Sequence, residues 1–522
     1  MRFYLIIFVA WLSILTESNA QQNPHQNIII SDQFSPNEPT IAIHPRQSNI
    51  LMAGSNIDNL YLSKDGGYSW QFKKLRSTYG VWGDPVIVPD TAGNFYFFHL
   101  SNPPDGNWID RIICQRTEDY GQTWTNGSYF GLNGSKAQDK HWAVVDQSSN
   151  YTYLTWTQFD KYGAKDPAFK SSIMFSMSKD EGSTWSAAQK INEVDGDCID
   201  SDKTTEGAVP AIGPEGQVYV AWAGPEGLVF DRSMDGGLNW LDKDIKIDPM
   251  PGGWDYKIPG IYRCNGLPVT VCDLSEGPHR GTIYVNWTDQ RNGSNDTDVW
   301  LSKSKDQGNS WSDPVRVNTD RSRRHQFLTW MAVDRSNGFL YFVFYDRRDT
   351  ESTNTNVYMA RSTDGGATFV NFRINDKAFV PNEMIFFGDY NNIVAQDNIV
   401  RPIWTRLDGE KLSIKTAIIN VDSIGINASK GVVFNPDSID YEVSELERIY
   451  VSFKLKGTQK LHLFLFNESG RKVKKIFKCK TFDFGKHILP YTVKELDLKP
   501  GRYSFRLQHK RKILKERFFQ ID

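Results

Sequence analysis

The chain has 522 residues, with 60 basic side chains set against 62 acidic ones. That balance excludes the basic footprint of a nucleic-acid binder. Aromatic residues make up 13% of it, which suits strands, and its length allows two or more domains.

Taken in chain order, the first element reads as an export signal. Arg2 precedes a mostly apolar run over 3–15, and Ser18-Asn19-Ala20 ends in a small-x-small pattern, so cleavage before Gln21 is expected. The run is too short to span a bilayer comfortably. No other long apolar segment follows, so the mature protein is expected to be soluble, secreted or at the cell surface, with no integral membrane segment. A short strand, "NIIIS" over Asn27–Ser31, comes next.

From about residue 35 the chain repeats itself. "SKDGGYSW" starts at Ser63, "TEDYGQTW" at Thr117, "SKDEGSTW" at Ser178, "SMDGGLNW" at Ser233, "SKDQGNSW" at Ser304 and "STDGGATF" at Ser362. The pattern Ser/Thr-x-Asp-x-Gly-x-x-Trp/Phe recurs at intervals of roughly 55 to 70 residues, the mark of a repeat architecture. One active site does not need six copies. The Asp can bond backbone N–H groups of its own turn, the Gly can supply a positive φ, and the aromatic can anchor the turn. Around each box lie short alternating runs rich in β-branched and aromatic residues, such as "LTWMAVD", "FLYFVFYD", "NVYMARS" and "VNFRIN". These are strands, four per repeat, the content of a propeller blade. A further set over Asn391–Asn420 offers only three strands and no box. Asn27–Ser31 could supply its fourth, which favours seven blades over six.

The boxes resemble the Asp-box, or bacterial neuraminidase, repeat of the sialidase superfamily, over roughly residues 35–420. The resemblance implies an all-β propeller, and the strand pattern sets it out as a seven-bladed (alternatively six-bladed) β-propeller over 21–425, after the expected signal peptide at 1–20. The segment 436–522 reads as a small, more basic β-sandwich. Its run "NESGRKV…GKH…LDLKPGRYSFRL…KERFFQI" resembles the C-terminal sorting domain of the type IX secretion system of Bacteroidetes, which implies the secretion machinery as a partner. An ordinary carbohydrate-binding or spacer sandwich is the other reading.

Propeller topology tells where chemistry could sit. The loops entering each inner strand, and those after each second strand, share one face and converge on the central funnel. The first set carries Glu38, Trp82, Asp84, Asp139, Lys140, His141, Glu206, Asn265, Arg324, His325, Asp389 and Tyr390. The second carries Arg291, Arg348 and Arg406, beside Asp289 and Asp346 with which the first two could simply bridge. Arg forks bind a carboxylate by two parallel bonds, Asp or Glu serves as acid or base, and a Tyr nucleophile is used by sialidases.

The resemblance implies an exo-acting, sialidase-like glycoside hydrolase on a terminal sialic acid or other acidic sugar of a glycan. Arg291, Arg348 and Arg406 would clamp the carboxylate, Asp84 would be the acid/base, and Glu206 would assist Tyr390 as nucleophile. Glu38, Trp82, His325 and Asp389 would complete the substrate site. The Arg-Ile-Pro motif of sialidases is missing before "NEPTIAI", and a seventh blade departs from their six. Two other functions stay open. One is a polysaccharide lyase on uronate glycans, with His141 or His325 abstracting a proton and Tyr390 as acid. The other is a non-catalytic glycan-binding propeller at the cell surface.

No cofactor is expected. Asp195–Asp202 and Asn292–Asp298 could bind a structural Ca²⁺ through oxygen ligands, although solvated loops are the favoured reading. Cys114, Cys198, Cys264, Cys272 and Cys479 lack zinc-site spacing and read as structural. Export permits disulfides, with Cys264 and Cys272 the closest pair.

Overall fold

A computed structural model describes residues 25–421 and 424, together with 440–443, 448–455, 459–482, 485–492, 496–499, 501–509 and 512–521. The expected signal, 1–20, lies outside the described residues. The chain divides into two compact units, Met1–Ile424 and Gly425–Asp522.

The described part of the first unit holds strands and turns and no α-helix. Its strands form seven four-stranded antiparallel sheets. Each sheet begins with an inner strand: Thr40–Ile43, Val86–Pro89, Ala137–Val145, Glu206–Ile212, Val269–Cys272, Gln326–Asp334 and Asn392–Gln396, numbered here as sheets 1 to 7. Each inner strand lies beside the next, and that of sheet 7 lies beside that of sheet 1. This cyclic adjacency is a β-propeller. Between sheets the core is aromatic. Trp156, Trp222, Trp287 and Trp404 lie on second strands and are fully buried.

Sheet 7 takes its first three strands from one end of the unit and its fourth, Gln26–Ser31, from the other. The register pairs Gln26 with Ile418 and Ile28 with Thr416. The edge of Lys411–Ile418, otherwise an open row of N–H and C=O groups, is thereby covered. This explains why the boxes number one fewer than the sheets. A box is the turn from third to fourth strand, and in sheet 7 no peptide joins those two strands.

The six turns share one network. In the fifth, Ser304 Oγ donates to Asp306 Oδ1 at 2.7 Å and accepts from Gly308 N at 2.8 Å. Asp306 also accepts from Ser310 N at 3.0 Å and from Ser310 Oγ at 2.6 Å. The glycine is required twice over. Gly308 has φ +89°, and a Cβ there would lie 2.2 Å from Phe230 of the preceding sheet. Gly237 meets Phe175 and Gly182 meets Cys114 in the same way, so each of these turns is seated against the sheet before it. In sheet 7 the seat is Arg401, whose Nε donates to Gly66 O at 2.7 Å.

The second unit contains a three-stranded sheet (Asp440–Val443, Arg448–Leu455, Gly485–Thr492) and a four-stranded one (Lys472–Phe482, Gln459–Asn467, Gly501–His509, Lys512–Ile521). Val451 of the first shares a buried cluster with Leu461, Leu463, Leu465, Phe505 and Leu507 of the second, the packing of a sandwich.

All five cysteines carry free thiols. The pairing of Cys264 with Cys272 that spacing allowed does not form. Both are buried, each with its thiol toward the carbonyl of the following residue. Among the described residues, no helix is long and apolar enough to cross a membrane.

Candidate active site

The inner strands enter the propeller axis through a recurring irregularity. Their pairing slips between Asp139 and Trp142, between Glu206 and Val209, and between Phe327 and Trp330. At the matching position φ is positive in Glu38 (50°), Asp84 (50°), Lys140 (47°), Gly207 (80°) and Leu328 (49°). A bulge re-aims the side chains beside it. Four of these five residues are not glycine, and each such conformation costs on the order of 1–3 kcal/mol and persists only where the surroundings impose it. The strain falls at the axial end of the inner strands, where the charged residues gather.

Lys140 is the hub of that layer. Its Nζ lies 2.7 Å from Asp389 Oδ2 and 3.7 Å from Asp84 Oδ2. Arg263, from the loop before the inner strand of sheet 5, forks onto Asp389: Nε donates to Oδ1 at 2.9 Å, and Nη2 bonds Oδ2. Its Nη1 reaches Asp200 Oδ2 at 3.3 Å, and Tyr162 OH donates to the same oxygen at 2.7 Å. Asn56, after the second strand of sheet 1, ties two neighbours together. Its Nδ2 donates to Glu38 Oε2, and its Oδ1 accepts from Asp84 N at 2.9 Å. Gly83 makes room for this, since a Cβ there would sit 2.3 Å from Asn56 Oδ1. Glu38 Oε1 in turn accepts from Asp389 N at 3.1 Å.

Electrostatics divides these carboxyls into two kinds. Burial, with Asp84 alongside, raises Glu38 well above the usual carboxylate range. Burial with Asp200 beside it does the same to Glu206, and Asp139 is pushed up by burial to about 7. Burial pushes Asp84 up as well, but Lys140 and His141 outweigh it and hold that carboxyl below its ordinary value. Lys140 and Arg263 likewise overcome burial at Asp389 and keep it ionised. Glu38 is thus pushed toward its protonated form and Asp84 toward its ionised form. Such opposed pairs are how a site assigns its acid and its base.

Against Lys140 and Asp389 lies a cavity of about 30 Å³, lined also by Trp142, Asn265, Trp330 and Tyr390 among others. Tyr390 OH is buried without a hydrogen-bond partner. Its ring packs at 5.1 Å against Trp142, which lies 4.4 Å from Trp330. A wider groove of about 680 Å³, lined by Lys377, Phe379, Glu383 and Asp408 among others, lies away from the paired carboxyls.

The structure brings Glu38, Asp84, Asp139, Lys140, Glu206, Asp389 and Tyr390 to the axis. The charges nearest in effect to Tyr390 are Asp84 and Glu38, and those nearest to Glu206 are Asp200 and Lys140. His141 is buried beside Asp84 and His99, and burial lowers its pKa to about 4. His325 stands apart, with Nδ1 3.1 Å from Thr297 Oγ1. Trp82 is exposed at the mouth.

The three expected clamp arginines do not converge. Arg291 forks onto Asp289 and reaches Asp248 at 2.8 Å. Arg348 bonds Asp346 at 2.6 Å and Asn371 at 2.9 Å. Arg406 bonds both oxygens of Asp408 at 2.7 Å. Each is engaged two residues away in its own sheet. The Asp-rich loops are likewise used internally: Asp195 bonds Ser172 and Asn192, and Asp298 bonds Asn292 and Asn318. Among the described residues, no three His, Cys, Asp or Glu side chains are gathered to hold a metal ion. Asn56, Asp200 and Arg263 were not expected at the axis from sequence. Asp200 fell within an Asp-rich loop, and Arg263 stands two residues before Asn265 in a long irregular segment.

No protein-family model matches the sequence, and no curated protein does. Among solved structures, a Hadza microbial sialidase superposes with a TM-score of 0.42 at 14% identity, over 73% of this chain and 75% of that one. An ulvan lyase bound to -[GlcA(1-4)Rha3S]- gives 0.45 at 13% identity, over 74% of this chain and 95% of that one. A protein of unknown function from Dyadobacter fermentans gives 0.41 at 11% identity, over 75% and 96%.

Proposed function

We propose that the first unit is a glycan-active enzyme, a glycoside hydrolase whose chemistry runs at the axial end of the inner strands. The observation that carries this is the Glu38–Asp84 pair, tied together through Asn56 and set beside Lys140, with burial pushing one carboxyl up and Lys140 holding the other down. Glycoside hydrolysis needs one carboxyl to protonate the leaving oxygen and a second as base or nucleophile. Glu38 takes the acid role and Asp84 the role of base or nucleophile. Lys140 and Asn56 hold the two in place, and Tyr390 lines the same wall. Asp139, pushed up by burial to about 7, is a second acid on the neighbouring strand.

A terminal acidic sugar is the narrower reading. It draws support from the repeated boxes, but it needs a free cation at the cleavage point. Lys140 and Arg263 are both committed to Asp389, so the geometry favours a neutral sugar there. Export through residues 1–20 would place the enzyme among extracellular glycans, with the second unit as its sorting or anchoring module. A mature protein beginning at Gln21 is the expected result of N-terminal sequencing.

The test is mass spectrometry of products from a panel of neutral, sialylated and uronate glycans. Release of a sugar with water added supports the hydrolase, provided that Glu38→Gln and Asp84→Asn each lower turnover at least about 100-fold, the range expected for an acid/base group. An unsaturated product would replace the hydrolase with a lyase. Silence across the panel would leave a binding propeller.

A further inference from the structure

Three aromatic rings run outward from the charged layer on the same face. Tyr162, whose hydroxyl holds Asp200, lies 5.5 Å from Trp108 with its ring at 84° to it. Trp108 lies 6.0 Å from Trp82 at 89°. The three come from different connections: Trp82 from the entry to the inner strand of sheet 2, Trp108 from the loop after the second strand of that sheet, and Tyr162 from the same kind of loop in sheet 3. Both indoles remain 42% exposed. Edge-to-face packing fixes the rings, so they form a ledge prepared before anything binds. Rigid, half-exposed Trp and Tyr give contact area at a low entropy cost.

We infer that the Trp82–Trp108–Tyr162 ledge is a binding subsite for the chain of a neutral glycan, leading into the Glu38–Asp84 site. The face of a sugar ring carries C–H bonds with hydroxyls around its rim, which matches an indole face edged by polar groups. Each ring-to-ring step is about the length of one sugar unit, so the ledge is long enough for more than a terminal residue. Neutrality follows from the charges beside it. Arg111 is forked onto Asp110, at 2.8 and 2.9 Å, and Arg263 onto Asp389, which leaves the ledge bordered by satisfied carboxylates. Continuity with the axial site, through Tyr162, Asp200 and Arg263, assigns the occupant to that site's substrate. The inference rests on the glycan-active reading for its ligand class, but its test is of binding and does not require turnover.

The experiment is affinity electrophoresis of the full chain in gels containing xylan, arabinan, galactomannan or hydroxyethyl cellulose, with polygalacturonate as the anionic comparison. At least one neutral polymer should retard the protein. Trp82→Ala and Trp108→Ala should each weaken that retardation on the order of ten-fold, as loss of a central Trp contact does; Trp108→Phe, which keeps a ring, should weaken it less. Asp306→Ala, in a box turn, should bind like wild type. In the unmodified protein the retarding polymer should also shield Trp82 and Trp108 from oxidation by N-bromosuccinimide, read by peptide mass spectrometry, so the result stands even if an alanine variant fails to fold. No retardation by any neutral polymer, retardation by polygalacturonate alone, or alanine variants that bind as well as wild type would each overturn the ledge. Retardation without product from any glycan would overturn the hydrolase and leave the ledge standing.

Discussion

Lys140 should be the most costly charge in the first unit to remove. It is buried, and its Nζ is 2.7 Å from Asp389 and 3.7 Å from Asp84. At an effective dielectric near 20, those distances correspond to gross attractions of roughly 6 and 4.5 kcal/mol, set against the cost of dehydrating the ammonium. Lys140→Met keeps the unbranched stem, one atom shorter, and removes the charge. Arg263 still serves Asp389, so the main loss is at Asp84, which remains buried beside Glu38. Breaking a buried pair in this way costs about 3–5 kcal/mol. With an unfolding entropy of roughly 2 cal/mol/K per residue over about 400 residues, that is a drop in Tm of about 4–6 °C. The assay is thermal and urea unfolding of wild type and Lys140→Met between pH 7 and pH 3. The sign with pH is fixed by the carboxylates. In wild type Asp84 and Asp389 are held below their ordinary values, so they stabilise the fold above about pH 4, and that contribution drains away as pH falls through their lowered pKa values. In the variant they take up protons at higher pH and lose less on acidification, so the gap should narrow below pH 4. A variant within 1 kcal/mol of wild type at pH 7, or a gap that does not change with pH, would refute the assignment of Lys140 as the hub.

Other consequences are simpler to measure. Asp306→Ala removes a carboxylate that accepts from Ser304 and Ser310 and should cost about 1–3 kcal/mol in urea unfolding, while the folded fraction keeps its turnover. The bonds to Thr123, Asn239 and Ser310 hold Asp119, Asp235 and Asp306 down to about 2. Their contribution should therefore be complete above pH 4 and vanish between about pH 4 and pH 2 in an acid unfolding titration. Gly308→Ala combines a left-handed backbone with a Cβ 2.2 Å from Phe230, and a loss of roughly 2–4 kcal/mol is expected from overpacking and strain together. Deleting Gln26–Ser31 should bare the edge of Lys411–Ile418 and cause self-association, visible by light scattering.

Much of the fold was legible because each device is local. The box spells out its own hydrogen bonds within eight residues, and strand alternation spells out the sheets. Even the long-range clasp could be read, since three strands at one end lacked a fourth and a lone strand stood at the other. The axial positions were legible for a topological reason: the residue entering each inner strand must face the axis, which located Glu38, Asp84, Lys140 and Asp389 without any motif. For the arginines the sequence left two outcomes open, a clamp at the axis or a bridge to the neighbouring carboxylate. Asp289 with Arg291, Asp346 with Arg348, and Arg406 with Asp408 each close a fork over two residues, and whether such a fork opens toward the axis depends on how the strand ends. Arg263 and Asn56 were missed because neither lies in a periodic segment. Each gains its role from a partner in another sheet, and that contact exists only after the ring has formed.

The clasp between Gln26–Ser31 and Lys411–Ile418 also bears on the order in which the molecule is made. Ile28 and Thr416 are about 390 residues apart, and bringing such distant points together costs roughly 5 kcal/mol of chain entropy by loop-closure scaling. That cost is recovered only when the other six sheets already hold the two ends near one another. Within the propeller, the strand Gln26–Ser31 must therefore wait for Lys411–Ile418, and their pairing closes the ring. Joining residues near 25 and 421 by a short linker, and opening new termini in an exposed loop of another sheet, would free the chain from that wait. Such a circular permutant should reach the same native fold, with the slow closing step moved elsewhere or removed.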